Sequence, residues 1–251
     1  MVFVGLIGLL VVTSPGWDSV KKRFFDSNVF KASFPDVLDG FGTTVKIFLV
    51  AEAIILVAAL ALALLRGLPG PVFFPVRVFA ILYADVFRGI PTLLLIYLLG
   101  FGAPALGLTG VPTSAFFWGV TALVLVYTAY VSEVYRAGIE SVHPSQEAAA
   151  RSLGLTRAQS LRYVVLPQAI RRVIPPLLND FIGLQKDTAL LGTLGIVEAL
   201  RAAQIDAAAT FNYTPYLAAA GFFLAITIPL TRLTDWLIER DRRRQTSGGV
   251  Q

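Results

Sequence analysis

Long apolar runs separated by short polar loops dominate this chain, and no sustained apolar/polar alternation competes with them. Crossing the hydrocarbon takes about 20 apolar residues as a helix. Residues 2–12 (VFVGLIGLLVV) are apolar but fall short of that length. No Lys or Arg precedes them and no A-x-A-like site follows, so they read as the end of an extra helix rather than a cleaved signal peptide. Residues 13–40 form a polar connector with Lys21, Lys22, Arg23 and several aromatics, the pattern of an interfacial segment. The first full span covers 42–65 and ends at Arg66, with Gly67, Pro69 and Gly70 as breakers. The second covers 72–100; Arg77, Asp85 and Arg88 place its first part at the interface. An uncharged connector, 101–113, leads to a third span over 114–135. After a polar loop, 136–172, the fourth span starts near Val173, reaches Leu184, and continues through Gln185, Lys186, Asp187 and Thr188 into another apolar stretch. The last span covers 215–238. The pattern predicts an all-α integral membrane protein with five core transmembrane helices and a short N-terminal apolar segment. It divides into residues 1–40, a transmembrane domain at 41–240 and a basic, then flexible, tail at 241–251.

Composition agrees: 56% hydrophobic, 15% charged, mean hydropathy +0.72. A soluble domain carries about 25% charged residues. The chain has no cysteine, which excludes a disulfide framework and a Cys-ligated metal, and its one histidine, His143, excludes a His cluster. The net charge of +5 speaks to topology rather than to nucleic acid. Six Arg lie in the loop 136–172 and five in the tail from Arg232, against none in 101–113 and one, Arg201, in 195–213. Excess Lys and Arg mark the cytoplasmic side. The loop and the C-terminus are therefore expected inside and residues 13–40 outside, where Lys21, Lys22 and Arg23 run against the rule.

Within the polar loop, Glu147 to Pro167 (EAAARSLGLTRAQSLRYVVLP) reads as a short polar helix, a Gly break and a second short helix. That is the shape of a plug for a soluble partner; an ordinary amphipathic surface helix closed by a Gly C-cap is the plainer alternative. Gly154 lets the chain turn, and Ala148, Ala149 and Ala150 allow close approach. Arg151 and Arg157 suit either acids on a partner or solvent. The segment resembles the EAA loop of ABC-transporter permease subunits: Ala149 and Ala150 are followed by Gly154, Val164, Leu166 and Pro167 in the family's register. The family's Glu position is Ala148 here, and the acid is displaced by one residue to Glu147. The resemblance implies docking into a cytoplasmic ATPase through Gln146, Glu147, Ala149, Ala150, Arg151, Gly154, Leu166 and Pro167.

Over residues 43–238 the chain is similar to permease subunits of polar amino acid ABC importers, the histidine/glutamate/glutamine/arginine group. The matching segments are Phe87-Arg88-Gly89-Ile90-Pro91, Ala129-Tyr130-Val131-Ser132-Glu133, Gly138-Ile139-Glu140-Ser141-Val142, Asn179-Asp180 and Lys186-Asp187-Thr188-Ala189-Leu190. Three departures stand out: Leu95 replaces a frequent Gln, Ile90 replaces Thr, and His143-Pro144-Ser145 stands where the family reads Pro, a basic residue and Gly. The resemblance implies alternating access, an extracytoplasmic solute-binding protein, two ATPase subunits that hold the ATP, and a second permease chain, identical or not. It also implies import across the inner membrane of a prokaryote.

Ionisable groups in a bilayer cost roughly 2.5–3.5 kcal/mol each on insertion scales, so each needs a partner or a job. Asp180 follows Asn179 after Pro175 and Pro176, prolines that can break a helix where it faces protein or a cavity. It suits a cationic group of the substrate, an α-ammonium or a basic side chain; an ion pair with Lys186 is the structural alternative, and the resemblance favours substrate. Lys186 suits a substrate carboxylate, a gate, or a local pair with Asp187, and Thr188 a ligand contact or a backbone cap. Arg88 and Asp85, three residues apart, read as a self-neutralised pair or as path lining, and Glu133 with Arg136 likewise. Glu52 sits in the first span with no cation three or four residues away. It must find a partner on another helix or stay protonated.

The phosphate-binding pattern G-x-x-x-x-G-K-[ST] is absent, so no cofactor is expected on this chain and ATP belongs to a partner. A catalytic triad with one loop histidine, or a metal cluster, finds no support. The expected function is a permease subunit for polar amino acids. An opine-like zwitterion as solute and a non-transporting membrane scaffold are the alternatives.

Overall fold

The structure is a computed structural model that describes residue 10 and residues 12–247. The apolar run expected at 2–12 lies almost entirely outside those residues. A short helix α1 (Trp17–Phe24) precedes α2 (Ser27–Arg66). Asp26 starts α2: its carboxylate accepts the backbone N–H groups of Asn28 (2.9 Å) and Val29 (3.2 Å), filling donors a helix start leaves open. At 1.5 Å per residue, α2 is about 60 Å long, roughly twice the hydrocarbon thickness. The polar connector expected over 13–40 is therefore helical from Trp17, and from Ser27 it is continuous with the first span. Polar residues at its start hid that continuity.

The second apolar run is broken. Helix α3 (Phe74–Gly89) and α4 (Thr92–Tyr97), which runs on through a π-helical turn (Leu98–Gly102) to Ala105, meet at 100°. Ile90 is extended (φ −90°, ψ 129°), as the residue before Pro91 prefers. Helix α5 (Ala115–Glu140) follows, capped by the Ser114 hydroxyl accepting from Phe117 N–H at 3.3 Å. Then come α6 (Pro144–Ser152), α7 (Arg157–Ser160) and a second π-helical turn (Leu161–Val165). Helix α8 (Leu166–Asp187) continues as a 3₁₀ segment (Thr188–Leu194) and is followed by α9 (Ala199–Thr210) and α10 (Thr214–Ser247). Three helices are long and apolar enough to cross a membrane, or five spans if each bent pair counts as one, among the described residues.

Pro175 and Pro176 do not break α8. The carbonyls they leave without an i+4 donor belong to Arg171 and Arg172, both exposed residues. The break comes later, at Gly195, whose φ of +84° suits glycine. Beyond it Glu198, fully buried, caps α9 by accepting from Leu200 N–H (2.8 Å) and Arg201 N–H (2.7 Å).

The core is a strip of α2, Ile47, Ala51, Ile55 and Ala59, against Leu123 and Val126 of α5, with Leu184 and Leu191 closing it. Alternating small residues let the two backbones approach, which matters where lipid offers no hydrophobic drive for helix association. Gly40 shows the same closeness: a Cβ there would lie 2.9 Å from the Glu198 carbonyl. Contacts also fix the ends of the bundle. Arg66, closing α2, bonds Glu133 near the end of α5, so the α6–α7 loop lies at that end. At the opposite end Asp26 N–H donates to the Thr214 hydroxyl at 3.1 Å, so α10 runs back toward the loop.

Candidate functional site

The bend between α3 and α4, the middle of α5 and the second half of α8 line an open cavity of about 230 Å³. Thr92, Tyr127, Tyr130, Asn179, Asp180, Gly183 and Asp187 line it. Asn179, Asp180 and Gly183 share a face because residues three and four apart on a helix are neighbours. One Asp180 carboxylate oxygen is buried without a hydrogen-bond partner. Buried polar atoms are nearly always satisfied, so this oxygen has hydrogen-bonding capacity that the fold leaves unused. Asp187 differs: its carboxylate accepts the Tyr127 hydroxyl at 3.0 Å.

Asn179 and Asp180 thus meet in one cavity, with Asp187 beside them, while Lys186 and Thr188 do not line it. Lys186 is exposed and, among the described residues, forms no ion pair with Asp180. Thr188 is fully buried and its hydroxyl donates to the Gln185 carbonyl at 2.7 Å, the backbone contact of the two readings. Glu52 is half-buried on α2 and finds no cation among the described residues; the charge it feels is that of another acid, Asp180. Glu52, Asp180 and Asp187 make this part of the interior acidic.

Arg88 and Asp85 pair at 3.3 Å and Glu133 with Arg136 at 2.7 Å, as their spacing predicts. The structure adds cross-helix partners. Glu133 also bonds Arg66 of α2 and lies 3.7 Å from Arg88 of α3, tying three helices together near the loop. Arg66 carried no sign of this beyond its place at a span end. Tyr127 and Tyr130 were also missed as cavity residues, because aromatics inside an apolar span read as core, and so was Thr92, a lone hydroxyl residue after Pro91.

The loop is built by capping. His143 caps α6, its ring Nδ1 accepting from Ser145 N–H at 3.2 Å. At the other end Leu155 N–H donates to Ala150 O (3.2 Å) and Gly154 N–H to Arg151 O (3.0 Å), the double bond of a Schellman stop, with Gly154 at φ +89°. Thr156 and Gln159 form a capping box that restarts the chain as α7. Gln146, Ala149, Arg151, Gly154 and Leu166 are exposed and Glu147 and Pro167 half-exposed, whereas Ala150 is buried against the loop itself. Glu147 faces Arg157 at 3.9 Å, so this acid has a partner inside the loop. Leu153 is 82% exposed and Tyr163 63%, large apolar groups on a polar loop.

Comparison with known proteins extends over most of the chain. Residues 59–243 match the family described as binding-protein-dependent transport system inner membrane component. The chain is 35% identical over 209 residues to the probable glutamine ABC transporter permease protein GlnM of Bacillus subtilis (strain 168), covering 83% of this chain and 94% of that protein. It is 33% identical over 214 residues to the arginine transport system permease protein ArtQ of the same organism, covering 84% and 95%. Among solved structures, a crystal structure of an amino acid ABC transporter with histidines superposes with a TM-score of 0.76 at 34% identity, covering 86% of this chain and 98% of that one. The MetNI methionine ABC transporter in an inward-facing conformation shares the fold, with a TM-score of 0.59 at 17% identity over 83% and 95%.

Proposed function

The chain belongs to the binding-protein-dependent transport system inner membrane components, and on that premise we propose that it lines the path of an importer for polar amino acids and holds the solute at Asp180. It is a transmembrane permease subunit of an amino-acid ABC transporter, as its relatives among the glutamine and arginine permeases are. The observation that carries the rest is the unpartnered Asp180 oxygen at the polar cavity. Every amino acid offers an ammonium group, and a charge-assisted hydrogen bond to a desolvated carboxylate is about twice as strong as a neutral one. Thr92 and Asn179 supply neutral donors for the other end of the solute. A non-transporting scaffold has no use for such a cavity.

In this reading the α6–α7 loop docks on a cytoplasmic ATPase subunit, where ATP is bound. The exposed Leu153 and Tyr163 enter the partner's cleft, and its motion reaches the spans through α8. An extracytoplasmic solute-binding protein delivers the amino acid at the opposite end. A second permease chain completes the path, because five spans supply half of one. The loop and the Arg-rich end of α10 face the cytoplasm, by the excess of Arg there.

Uptake of labelled arginine, histidine, glutamate and glutamine by cells carrying the native system tests this. Wild type is compared with Asp180→Asn at equal membrane abundance. Loss of uptake of at least one amino acid in the variant is the expected result. Undiminished uptake of all of them would assign Asp180 a structural role.

A further inference from the structure

We infer that the end of the bundle away from the docking loop carries a site for an anionic phospholipid, built from α1 and the first turn of α2. Lys21, Lys22 and Arg23 are exposed on α1, and Lys31 is exposed one turn into α2. These cations run against the charge rule that orients the rest of the chain.

Their depth is set by hydrogen bonds to the α9–α10 connection. Tyr213 N–H donates to Arg23 O at 2.7 Å, and the Asn212 side-chain amide donates to Lys22 O at 2.8 Å. The Phe24 ring stacks on Tyr213 with centroids 5.1 Å apart. The stretch of α10 long and apolar enough to cross a membrane, Thr214–Arg240, begins one residue later. The basic triplet is therefore held beside the end of an apolar stretch, which in this reading is headgroup level.

Beside it lies a mostly apolar cleft of about 440 Å³, walled by Phe24, Phe25, Phe30 and Leu217, with Lys31 and the acid Asp26 also in its lining. Phe25 is 62% exposed. Rings at this depth with cations above them are what an acyl chain and its phosphate need. Asp18 and Asp26, the latter capping α2 and lining the cleft, offset part of this charge, and the four cations still outnumber these two acids. A zwitterionic lipid would fill the cleft and leave those cations without counter-charge; an anionic one satisfies both. The triplet is thus an anchor to lipid, which removes its conflict with the charge rule, since it does not report which side it faces.

Native mass spectrometry of the whole transporter, extracted from vesicles of phosphatidylglycerol and phosphatidylcholine, tests the site. Wild type is expected to retain phosphatidylglycerol in preference. The triple variant Lys21→Gln, Lys22→Gln, Arg23→Gln is expected to lose that preference by roughly five-fold per cation removed. The charge-keeping pair Lys21→Arg, Lys22→Arg is expected to hold it, which separates loss of charge from loss of folding. Equal retention of both lipids by wild type overturns the inference. So does an unchanged preference in the triple variant, and so does a triple variant that keeps its lipid but loses its hold on the solute-binding protein, which would make the patch a protein-docking surface.

Discussion

Asp180 and Glu198 are two acids on the same broken span, and the structure treats them in opposite ways. Glu198 is fully buried and wholly engaged, with both carboxylate oxygens taken by the first N–H groups of α9. It replaces backbone hydrogen bonds that the break at Gly195 forfeits, and nothing is left over for a ligand. Asp180 keeps one buried oxygen unpartnered beside a cavity, with other acids rather than a cation for company. Burial alone therefore does not separate these two acids; they differ in the valence the fold leaves unused, a feature that Asp206 shares with Asp180.

The contrast is sharpest on removal of each charge. Asp180→Asn keeps the shape and removes the acceptor charge. A hydrogen bond to a charged group is worth roughly 1.5–3 kcal/mol, so transport is expected to fall about 10- to 100-fold at unchanged membrane abundance, measured as labelled uptake per transporter. Glu198→Ala is the reverse. Loss of a buried cap costs about 2 kcal/mol, so thermal stability and abundance fall while uptake per folded molecule holds; melting of the purified complex beside uptake checks it. Gly154→Val separates the loop from both sites. A branched side chain at φ +89° costs about 1–2 kcal/mol and distorts the Schellman stop. Solute-stimulated ATP hydrolysis is expected to drop while amino acid binding persists. Smallest is Glu147→Gln, which removes an exposed pair with Arg157 at 3.9 Å. Stability should shift by less than about 0.5 kcal/mol in the same melting assay.

Much of this was legible before any coordinates. The all-α fold with several long apolar helices followed from run length, and the helix–turn–helix shape around Gly154 followed from the glycine and its polar flanks. Asp180 and Asn179 stood out because an acid in an apolar run is costly. What stayed hidden was long-range or cooperative. Nothing in the sequence told that Pro175 and Pro176 would be absorbed by α8 while Gly195 takes the break, because that depends on which residues the fold leaves exposed. The Arg66 contact to Glu133 joins residues far apart in sequence, which spacing rules do not see. The cavity's aromatic wall, Tyr127 and Tyr130, looked like core for the same reason. Residues 13–40 looked like a connector because the charged and polar residues at the start of α2 mask its helical periodicity.

The most direct measurement is equilibrium binding of labelled arginine, histidine, glutamate and glutamine to the whole transporter in nanodiscs, with wild type, Asp180→Asn and Glu198→Gln side by side. The account predicts that wild type and the folded fraction of Glu198→Gln bind the same amino acid alike, and that Asp180→Asn loses it while melting as wild type does. Equal binding by Asp180→Asn would contradict the assignment of the unpartnered carboxylate as the solute's contact.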